Sequence, residues 1–262
     1  MFITRRKFDM SEKAQRFSNR KANKVAGQST HVPKAKWEEE RYEKAKPIVP
    51  KTTNQAAFIM SMKNNTLTVG SGSSGSGKSF LACHYAANEL LLGNTKKIII
   101  SRPYVALANR TTGFKPSTDL EKLRGFVLPM LGYLSEVLGR GMVEMQISSP
   151  DGKVELAPLE SLRGRSFDNA IIIIDESQCL LPEEVEAIVT RVGQNTQIIF
   201  CGDPAQKDVK EDKCGLLFLE RIIRKHNIND CGIIKFTSED CVRSGICKAF
   251  VQAFDKERTG EW

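Results

Sequence analysis

The chain has 262 residues, 40% of them hydrophobic and 27% charged, a composition typical of a soluble globular protein with one large domain. No apolar run approaches the length of a membrane span and the first residues lack the apolar core of a signal peptide, so we expect a cytoplasmic protein with no membrane partner. The seven cysteines are scattered and form no C-x-x-C pair, which argues against a zinc site or a disulfide framework.

The net charge of +8 is concentrated at the N-terminus. Residues 1–36 contain ten Lys and Arg against only Asp9 and Glu12, whereas the rest of the chain carries equal numbers of both signs. Residues 1–50 also lack sustained apolar periodicity, which predicts a basic extension, mobile or partly helical, ahead of a folded domain over residues 51–262. The cations of this extension could bind nucleic-acid phosphates or could serve only solubility, and the sequence leaves both open.

Beyond the extension, strand-like and helix-like segments alternate. Three short apolar runs at residues 98–100, 171–174 and 197–200 are typical of central parallel strands buried on both faces. The order predicts an α/β fold with an open parallel sheet and helices on both faces, and residues 142–147 and 153–157 predict a small inserted β-hairpin. The predicted strands are 67–70, 97–101, 170–175, 196–201 and 232–237. The predicted helices are 78–92, 119–138, 182–191, 216–225 and 245–254.

Residues 72–79 read Gly-Ser-Ser-Gly-Ser-Gly-Lys-Ser, which fits the phosphate-loop pattern G-x-x-x-x-G-K-[ST] at every fixed position. The loop lies between a predicted strand and a predicted helix, so its backbone N–H groups and the helix dipole would face phosphate oxygens. Lys78 is predicted to reach the β- and γ-phosphates, and Ser79 to coordinate Mg²⁺. The sequence therefore predicts binding of a nucleoside triphosphate. The candidate nucleotide-binding residues of this segment are Gly72, Ser73, Ser74, Gly75, Ser76, Gly77, Lys78, Ser79 and Phe80.

Polar loops follow the two most apolar strands that come after the phosphate loop. Asp175 and Glu176 come directly after four isoleucines, at the edge of an open sheet where ligands bind. Asp175 is predicted to hold Mg²⁺, and Glu176 to align or deprotonate an attacking water. In the next such loop, Gln206 would sense the γ-phosphate and Asp203 would hold water or metal ligands, although Gly-Asp-Pro alone is also common turn chemistry.

Arginines flank two of the predicted strands. Arg102 follows the strand at 97–101, and Arg163 and Arg165 precede the strand at 170–175. All three are candidate contacts to phosphates or to a polymer lying across the sheet edge. Each could equally form a surface salt bridge, and the sequence leaves the choice open.

Further motifs accompany the loop and the two carboxylates in a fixed order along the chain. The segments, in order, are Asn54-Gln55, 72–79, Ser101-Arg102-Pro103, Gly113-Phe114, Ala157-Pro158-Leu159, 162–166, 175–178, 190–193, Gly202-Asp203 with Gln206, Cys214-Gly215-Leu216 and 240–243. As an ordered set they are highly specific, and they resemble the PhoH family of P-loop ATPases. The core of that family is similar to one RecA-like lobe of a superfamily-one helicase, and the resemblance covers roughly residues 52–254.

The resemblance implies roles at matched positions. Gln55 would contact adenine, Asp175 and Glu176 would form the Walker B pair, and Arg243 would be an arginine finger. The departures from the family pattern are Ser79, Ser101 and Ser166 in place of the usual Thr, Ser177 in place of Ala, Cys214 in place of Ser, and Ser244 in place of His. Most of these departures preserve a hydroxyl or the side-chain size.

These motifs and the resemblance predict a Mg²⁺-dependent ATPase with a single RecA-like core and with ATP and Mg²⁺ as its cofactors. The leading hypothesis couples hydrolysis to binding or remodelling of single-stranded nucleic acid, with RNA favoured, through the basic extension and the sheet edge. The alternatives are a small-molecule phosphotransferase and a nucleotide-controlled binding protein that uses hydrolysis as a timer. A lone lobe leaves its γ-phosphate side open, so we also expect a homo-oligomer, in the simplest case a ring. Arg243 would then act across the subunit boundary, the alternative being that it reaches its own ATP.

Overall fold

Strands and helices alternate along the chain, which returns to one sheet after each crossover. The residues described by the computed structural model are 45–103, 119–207 and 213–260. The strands are β1 (Leu67–Gly72), β2 (Lys97–Ser101), β3 (Val154–Leu156), β4 (Ala170–Ile174), β5 (Gln197–Gly202) and β6 (Cys231–Phe236). The helices are α1 (Thr53–Asn64), α2 (Lys78–Leu92), α3 (Asp119–Phe126), α4 (Leu128–Leu138), α5 (Arg140–Ser148), α6 (Leu159–Leu162), α7 (Pro182–Val189), α8 (Gly215–Lys225) and α9 (Gly245–Thr259).

Within the described part of the chain, six strands form one parallel sheet in the order β3-β2-β4-β5-β1-β6. β1 lies between β5 and β6, with Val69 opposite Phe200 on one side and Ile233 on the other. Because all strands run in the same direction, their carboxyl ends meet at one edge of the sheet. The loops that follow β1, β2, β4 and β5 are therefore neighbours, although they are far apart in sequence.

The isoleucines of β4 show how the sheet becomes the middle layer. Ile171 and Ile173 pack in the hydrophobic cluster formed with α1 to α5, whereas Ile172 and Ile174 pack in the cluster formed with α6 to α8. All four are nearly fully buried, and each such burial stabilises the fold by about 1.5–3 kcal/mol. The predicted α/β fold, with helices on both faces of a parallel sheet, is confirmed.

The five predicted strands are confirmed within two residues at each end, and the helix predicted over 78–92 matches α2. The prediction of one helix over residues 119–138 is wrong, because α3 and α4 are separated at Val127. Pro129 lies in the first turn of α4, where its missing N–H leaves no hydrogen bond unmade. A continuous helix would need that N–H, so the chain begins a new helix there.

α1 lies in a segment for which the sequence predicts no helix. Its first turn is capped by Thr52, whose hydroxyl accepts a hydrogen bond from the backbone N–H of Gln55 at 3.2 Å. The buried face combines Phe58 and Met62 with polar Gln55 and Ser61, so the apolar periodicity is weak. The capping threonine was the available signal.

The predicted β-hairpin over residues 142–147 and 153–157 is wrong. Residues 142–147 lie within α5, where Val143 packs into the core. β3 joins the sheet in parallel beside β2, with Val154 opposite Ile98. Because the edge of the sheet already supplies the hydrogen bonds of β3, the preceding segment is not needed as a partner strand.

The last residues of the predicted extension are attached to the domain. The backbone N–H of Lys46 donates to Oδ1 of Asn88 at 3.1 Å, Nδ2 of Asn88 donates to the Lys46 carbonyl at 2.7 Å, and Ile48 packs against the core. The domain as described thus includes residues 46–50, whereas the extension up to residue 44 and the motif Gly113-Phe114 lie outside the described residues. None of the helices described is long and apolar enough to cross a membrane.

Candidate active site

The segment between β1 and α2 forms a tight loop. Gly72 has φ +126°, and a Cβ on this residue would lie 1.9 Å from the carbonyl oxygen of Phe236, so only glycine fits. The Ser76 hydroxyl donates to the carbonyl of Ser73 at 2.8 Å, and Gly77 is the N-cap of α2. The N-terminus of α2 thus opens onto the loop, an arrangement that favours a bound anion.

The Lys78 ammonium lies at the centre of this loop. Its Nζ donates to the carbonyls of Gly72 at 2.7 Å and Ser73 at 2.8 Å, and to the Ser76 hydroxyl at 3.0 Å. Burial lowers the pKa of Lys78, against the opposing effect of nearby acidic groups, the largest of which comes from Asp203. Phosphate oxygens entering the loop would exchange for the neutral oxygens that the ammonium now binds.

Ser79 and Asp175 come together at the start of α2 and the end of β4. The Ser79 hydroxyl donates to Oδ1 of Asp175 at 2.6 Å, and the Asp175 side chain is buried. Burial raises the pKa of Asp175, and the hydrogen bond from Ser79 opposes that shift. A hydroxyl and a carboxylate oxygen this close, beside a phosphate loop, are ligands that Mg²⁺ takes, so these residues fit the predicted metal.

Glu176 occupies an unusual backbone position directly after β4. Its φ is +51°, in the left-handed region that costs a non-glycine residue energy and that clusters at functional sites. Its Oε2 accepts from Nε2 of Gln178 at 2.6 Å, and its Oε1 accepts from Nη2 of Arg102 at 3.1 Å. Gln178 also accepts from the Asp203 backbone N–H at 3.0 Å, so one side chain connects the loops after β4 and β5.

Gln206 and Asp203 lie on the loop after β5, next to the carboxylates of β4. Nε2 of Gln206 donates to Oδ2 of Asp203 at 2.7 Å, while Oδ1 of Asp203 accepts from the Ala205 N–H at 3.1 Å. Asp203 is buried, and both residues line the same cavity as Glu176. The loop thus presents a fixed amide and carboxylate to this cavity.

Arg163 and Arg165 lie in ion pairs away from the phosphate loop. Arg165 makes two hydrogen bonds to Glu155, at 2.6 and 3.2 Å, and Lys97 pairs with the same carboxylate at 3.0 Å. Arg163 lies 3.9 Å from Glu184. For these two arginines the geometry supports the salt-bridge alternative, whereas Arg102 reaches the site itself.

Gln55 is buried against the phosphate loop. Its Nε2 donates to the carbonyl of Ser76 at 2.9 Å, and its Oε1 accepts from the backbone N–H of Lys51 at 2.7 Å. Both ends of the amide are therefore engaged with the protein. This geometry makes Gln55 a support for the loop, and its contact with adenine stays a prediction.

Arg243 lies against the phosphate loop of its own chain. The backbone N–H of Val242 donates to the carbonyl of Gly75 at 3.1 Å. A Cβ on Gly75 would lie 3.1 Å from Cδ of Arg243 and 3.1 Å from the Cys241 sulfur, so the arginine stem covers the loop where it has no side chain. Arg243 thus lies beside its own phosphate loop, and its role as an arginine finger, on its own ATP or on that of a neighbouring copy, stays a prediction.

A cavity of about 590 Å³ joins these groups. Gly72, Ser73 and Ser76 make hydrogen bonds within the loop and do not line this cavity. The predicted site residues that line it are Gln55, Ser74, Gly75, Gly77, Lys78, Ser79, Phe80, Asp175, Glu176, Asp203, Gln206 and Arg243.

The other wall of the cavity is apolar and aromatic, and sequence reasoning missed most of it. The Phe80 ring lies 4.0 Å from the His84 ring and 5.4 Å from the Tyr133 ring, measured between centroids. Ile48 and Val49 border the same space. The i, i+4 spacing of Phe80 and His84 on α2 was the available signal, whereas nothing local links α4 or residues 46–49 to the loop.

Comparison with known proteins decides the family. The model of the PhoH-like protein family matches residues 47–255. The chain belongs to the PhoH-like family. It is 34% identical to a PhoH-like protein of Bacillus subtilis (strain 168) over 82% of this chain and 66% of that protein. It is 32% identical to Protein PhoH of Escherichia coli (strain K12) over 79% of this chain and 58% of that protein. The chain thus spans less than two thirds of the length of either relative.

A solved structure agrees with this fold. The large terminase of bacteriophage HK97 matches 81% of the PhoH-like chain and 48% of its own, with a TM-score of 0.52 and 14% sequence identity. At this identity the match shows the fold alone. The family and the phosphate loop make the PhoH-like chain a nucleotide-binding protein.

Proposed function

We propose that this PhoH-like protein is a Mg²⁺-dependent ATPase. The observation that carries the proposal is the convergence of Lys78, Ser79, Asp175 and Glu176 on one cavity at the carboxyl edge of the sheet. Such a site has little covalent chemistry to perform, so catalysis rests on positioning and electrostatic stabilisation. A cation, a hydroxyl and two carboxylates are the side-chain types that bind phosphate, hold Mg²⁺ and orient water.

Each side chain has a role that follows from its place. Lys78 and the N–H groups at the start of α2 neutralise the β- and γ-phosphates, and Ser79 with Asp175 would hold Mg²⁺. Bound Mg²⁺ would neutralise charge on the phosphate oxygens. Glu176 would orient the attacking water, and Gln206 would respond to loss of the γ-phosphate.

We further propose that hydrolysis is coupled to single-stranded nucleic acid, with RNA favoured. The ten Lys and Arg of residues 1–36 support this proposal, because cations in that density bind phosphates in a salt-dependent manner. The loops at the carboxyl edge of the sheet also place Arg102 beside the catalytic carboxylates. A polymer bound at this edge would lie next to the groups that perform hydrolysis.

A thin-layer assay of ATP hydrolysis with and without poly-U tests the function. We expect phosphate release that depends on Mg²⁺ and rises when poly-U is added. A rate that ignores the polymer would favour the nucleotide-controlled timer, and phosphate transfer to an added nucleoside would favour the phosphotransferase. Omission of Mg²⁺ in every arm is the matched control.

Removal of residues 1–36 tests the role of the basic extension. We expect weaker binding to single-stranded RNA and a flatter dependence of affinity on salt, since each phosphate contact contributes a slope of about −0.7. ATP hydrolysis without polymer should survive, because the site lies within residues 46–243. A full-length variant with the ten cations replaced by Gln is the control, because it removes the charge and keeps the length of the chain. If the salt dependence of RNA affinity is unchanged in both the truncated protein and this variant, the extension has only a solubility role.

A homo-oligomer remains part of the proposal. α9 carries an apolar stripe of Ile246, Phe250 and Phe254, with exposed fractions of 73%, 56% and 55%. The stripe starts three residues after Arg243, so a second copy seated on it would lie beside the open side of the ATP site. We propose that such a copy closes the site, while Arg243 acts on the ATP of its own chain.

A further inference from the structure

Arg102 contacts both carboxylates of the site. It follows β2, whose last residue, Ser101, lies opposite Ile174 at the end of β4. Its Nη1 lies 3.4 Å from Oδ2 of Asp175, and its Nη2 lies 3.1 Å from Oε1 of Glu176. Nη1 also donates to the carbonyl of Phe126 at 3.1 Å, which connects the guanidinium to the end of α3.

This arrangement restrains the carboxylates that hydrolysis needs. Glu176 has Oε1 bound by Arg102 and Oε2 bound by Gln178, so both of its oxygens already accept hydrogen bonds from N–H groups. Asp175 has Oδ1 bound by Ser79 and Oδ2 facing Arg102. Each carboxylate oxygen keeps a second lone pair, but the guanidinium and the Gln178 amide together fix the orientation of Glu176, so Arg102 restrains the carboxylate from turning towards a water.

The guanidinium is suited to leave for a different anion. Its side chain is 25% exposed, so an anion can reach it from solvent. A planar guanidinium binds a phosphate through two parallel hydrogen bonds, as it does a carboxylate. Mg²⁺ held at Asp175 would also repel it, because both are cations that draw on the same pair of carboxylates.

We propose that Arg102 is a positioning residue that holds Glu176 in a resting arrangement and releases it when a nucleic-acid phosphate takes its guanidinium. The inference rests on the proposed ATPase function and deepens it, since it names how a polymer at the sheet edge reaches the catalytic carboxylate. Arg102 then has two alternative partners, the carboxylates within the site or the polymer outside it.

Arg102→Ala tests the restraint. In the absence of polymer we expect its hydrolysis rate to rise about fivefold, the factor that corresponds to a partly exposed ion pair of about 1 kcal/mol. Addition of poly-U should then produce little further rise. A lower basal rate with an unchanged stimulation ratio would overturn the proposal, because Arg102 would then be needed in the active state.

Binding of a fluorescent, non-hydrolysable ATP analogue gives a readout that does not depend on turnover. We expect the Mg²⁺ concentration at half-saturation to fall several-fold in Arg102→Ala, since a competing cation has been removed from Asp175. An unchanged or higher value would contradict the proposal. Arg165→Ala is the matched control, because it removes an arginine whose ion pair is with Glu155, away from the site.

Arg102→Lys covers the case in which the alanine variant fails to fold. A lysine keeps the charge but cannot bond both carboxylates through one planar group, so intermediate basal rates and Mg²⁺ requirements are expected. Wild-type behaviour in both measurements would overturn the proposal. Hydrolysis by the wild type with poly-U, measured in the same series, separates failure of the proposed function from failure of this inference.

Discussion

The ammonium of Lys78 lies among oxygens of its own loop, in a position prepared for phosphate. Its pKa is lowered by burial, which means that the fold tolerates this charge at a cost. We therefore expect Lys78 to contribute more to binding a ligand than to the stability of the domain.

Lys78→Ala should abolish hydrolysis and weaken ATP binding, because it removes the cation proposed to face the β- and γ-phosphates, which now binds carbonyls of the loop. The melting temperature should stay within a few degrees of wild type or rise, since the lost ammonium was disfavoured by burial. Titration calorimetry with an ATP analogue and a thermal melt measure the two effects. Wild-type affinity in the variant would show that the phosphates bind elsewhere.

Glu176→Gln should hydrolyse ATP very slowly while retaining bound ATP, because the amide keeps the size of the side chain but cannot accept a proton from water. Retention of radiolabelled ATP on a filter, beside phosphate release, measures this. Glu160→Gln makes the same change at an exposed carboxylate and should behave as wild type. Hydrolysis by Glu176→Gln at the wild-type rate would remove Glu176 from the catalytic set.

At the scale of elements, the sequence was informative wherever one element alone determines the outcome. The isoleucine run of β4 has to be buried on both faces, and the loop at 72–79 needs only its own glycines and lysine. The apolar wall of the cavity could not be predicted, because Tyr133 reaches Phe80 only through the packing of α4 on α2. The hairpin prediction for residues 142–147 is wrong for a related reason, since β3 pairs with β2 and not with the adjacent segment.

Glu155 links the edge strand β3 to its surroundings and gives a prediction for pH. Burial raises the pKa of Glu155, but hydrogen bonds from Arg165 and Lys97 outweigh it, so the net pKa is lowered. A lowered carboxyl pKa contributes stability above the ordinary value, about 4.3, and loses that contribution as pH falls through the folded value.

Glu155→Gln should therefore lower the free energy of unfolding by about 1 kcal/mol at pH 7, the upper end for partly exposed pairs. The difference from wild type should shrink towards zero as pH falls through the lowered folded-state pKa of Glu155, because both proteins then become neutral at this position. Urea unfolding across that range measures it. A difference that does not change with pH would mean that packing, and not charge, explains the cost.

At the scale of the whole molecule, the position of Arg243 on its own loop bears on how copies cooperate. A mixing experiment distinguishes action of Arg243 on the ATP of its own chain from action on the ATP of a neighbouring copy. It combines Lys78→Ala subunits, which keep Arg243, with Arg243→Ala subunits, which keep the loop. We expect no activity above that of either parent, because the arginine lies against Gly75 of the same chain. Restored activity would show that the arginine acts across a subunit boundary. Native mass with an ATP analogue, compared between wild type and Phe250→Ser, tests whether α9 joins the copies.

The strand order also sets when this site can exist during synthesis. β1 carries the phosphate loop, yet both of its neighbours, β5 and β6, come from the C-terminal third of the chain. While the ribosome still holds that third, β1 has no strand to pair with, and β2 and β4 can associate only with each other and β3. The candidate nucleotide site is therefore completed last, so a truncated chain would leave β1, which is buried in the folded domain, unpaired and prone to aggregate.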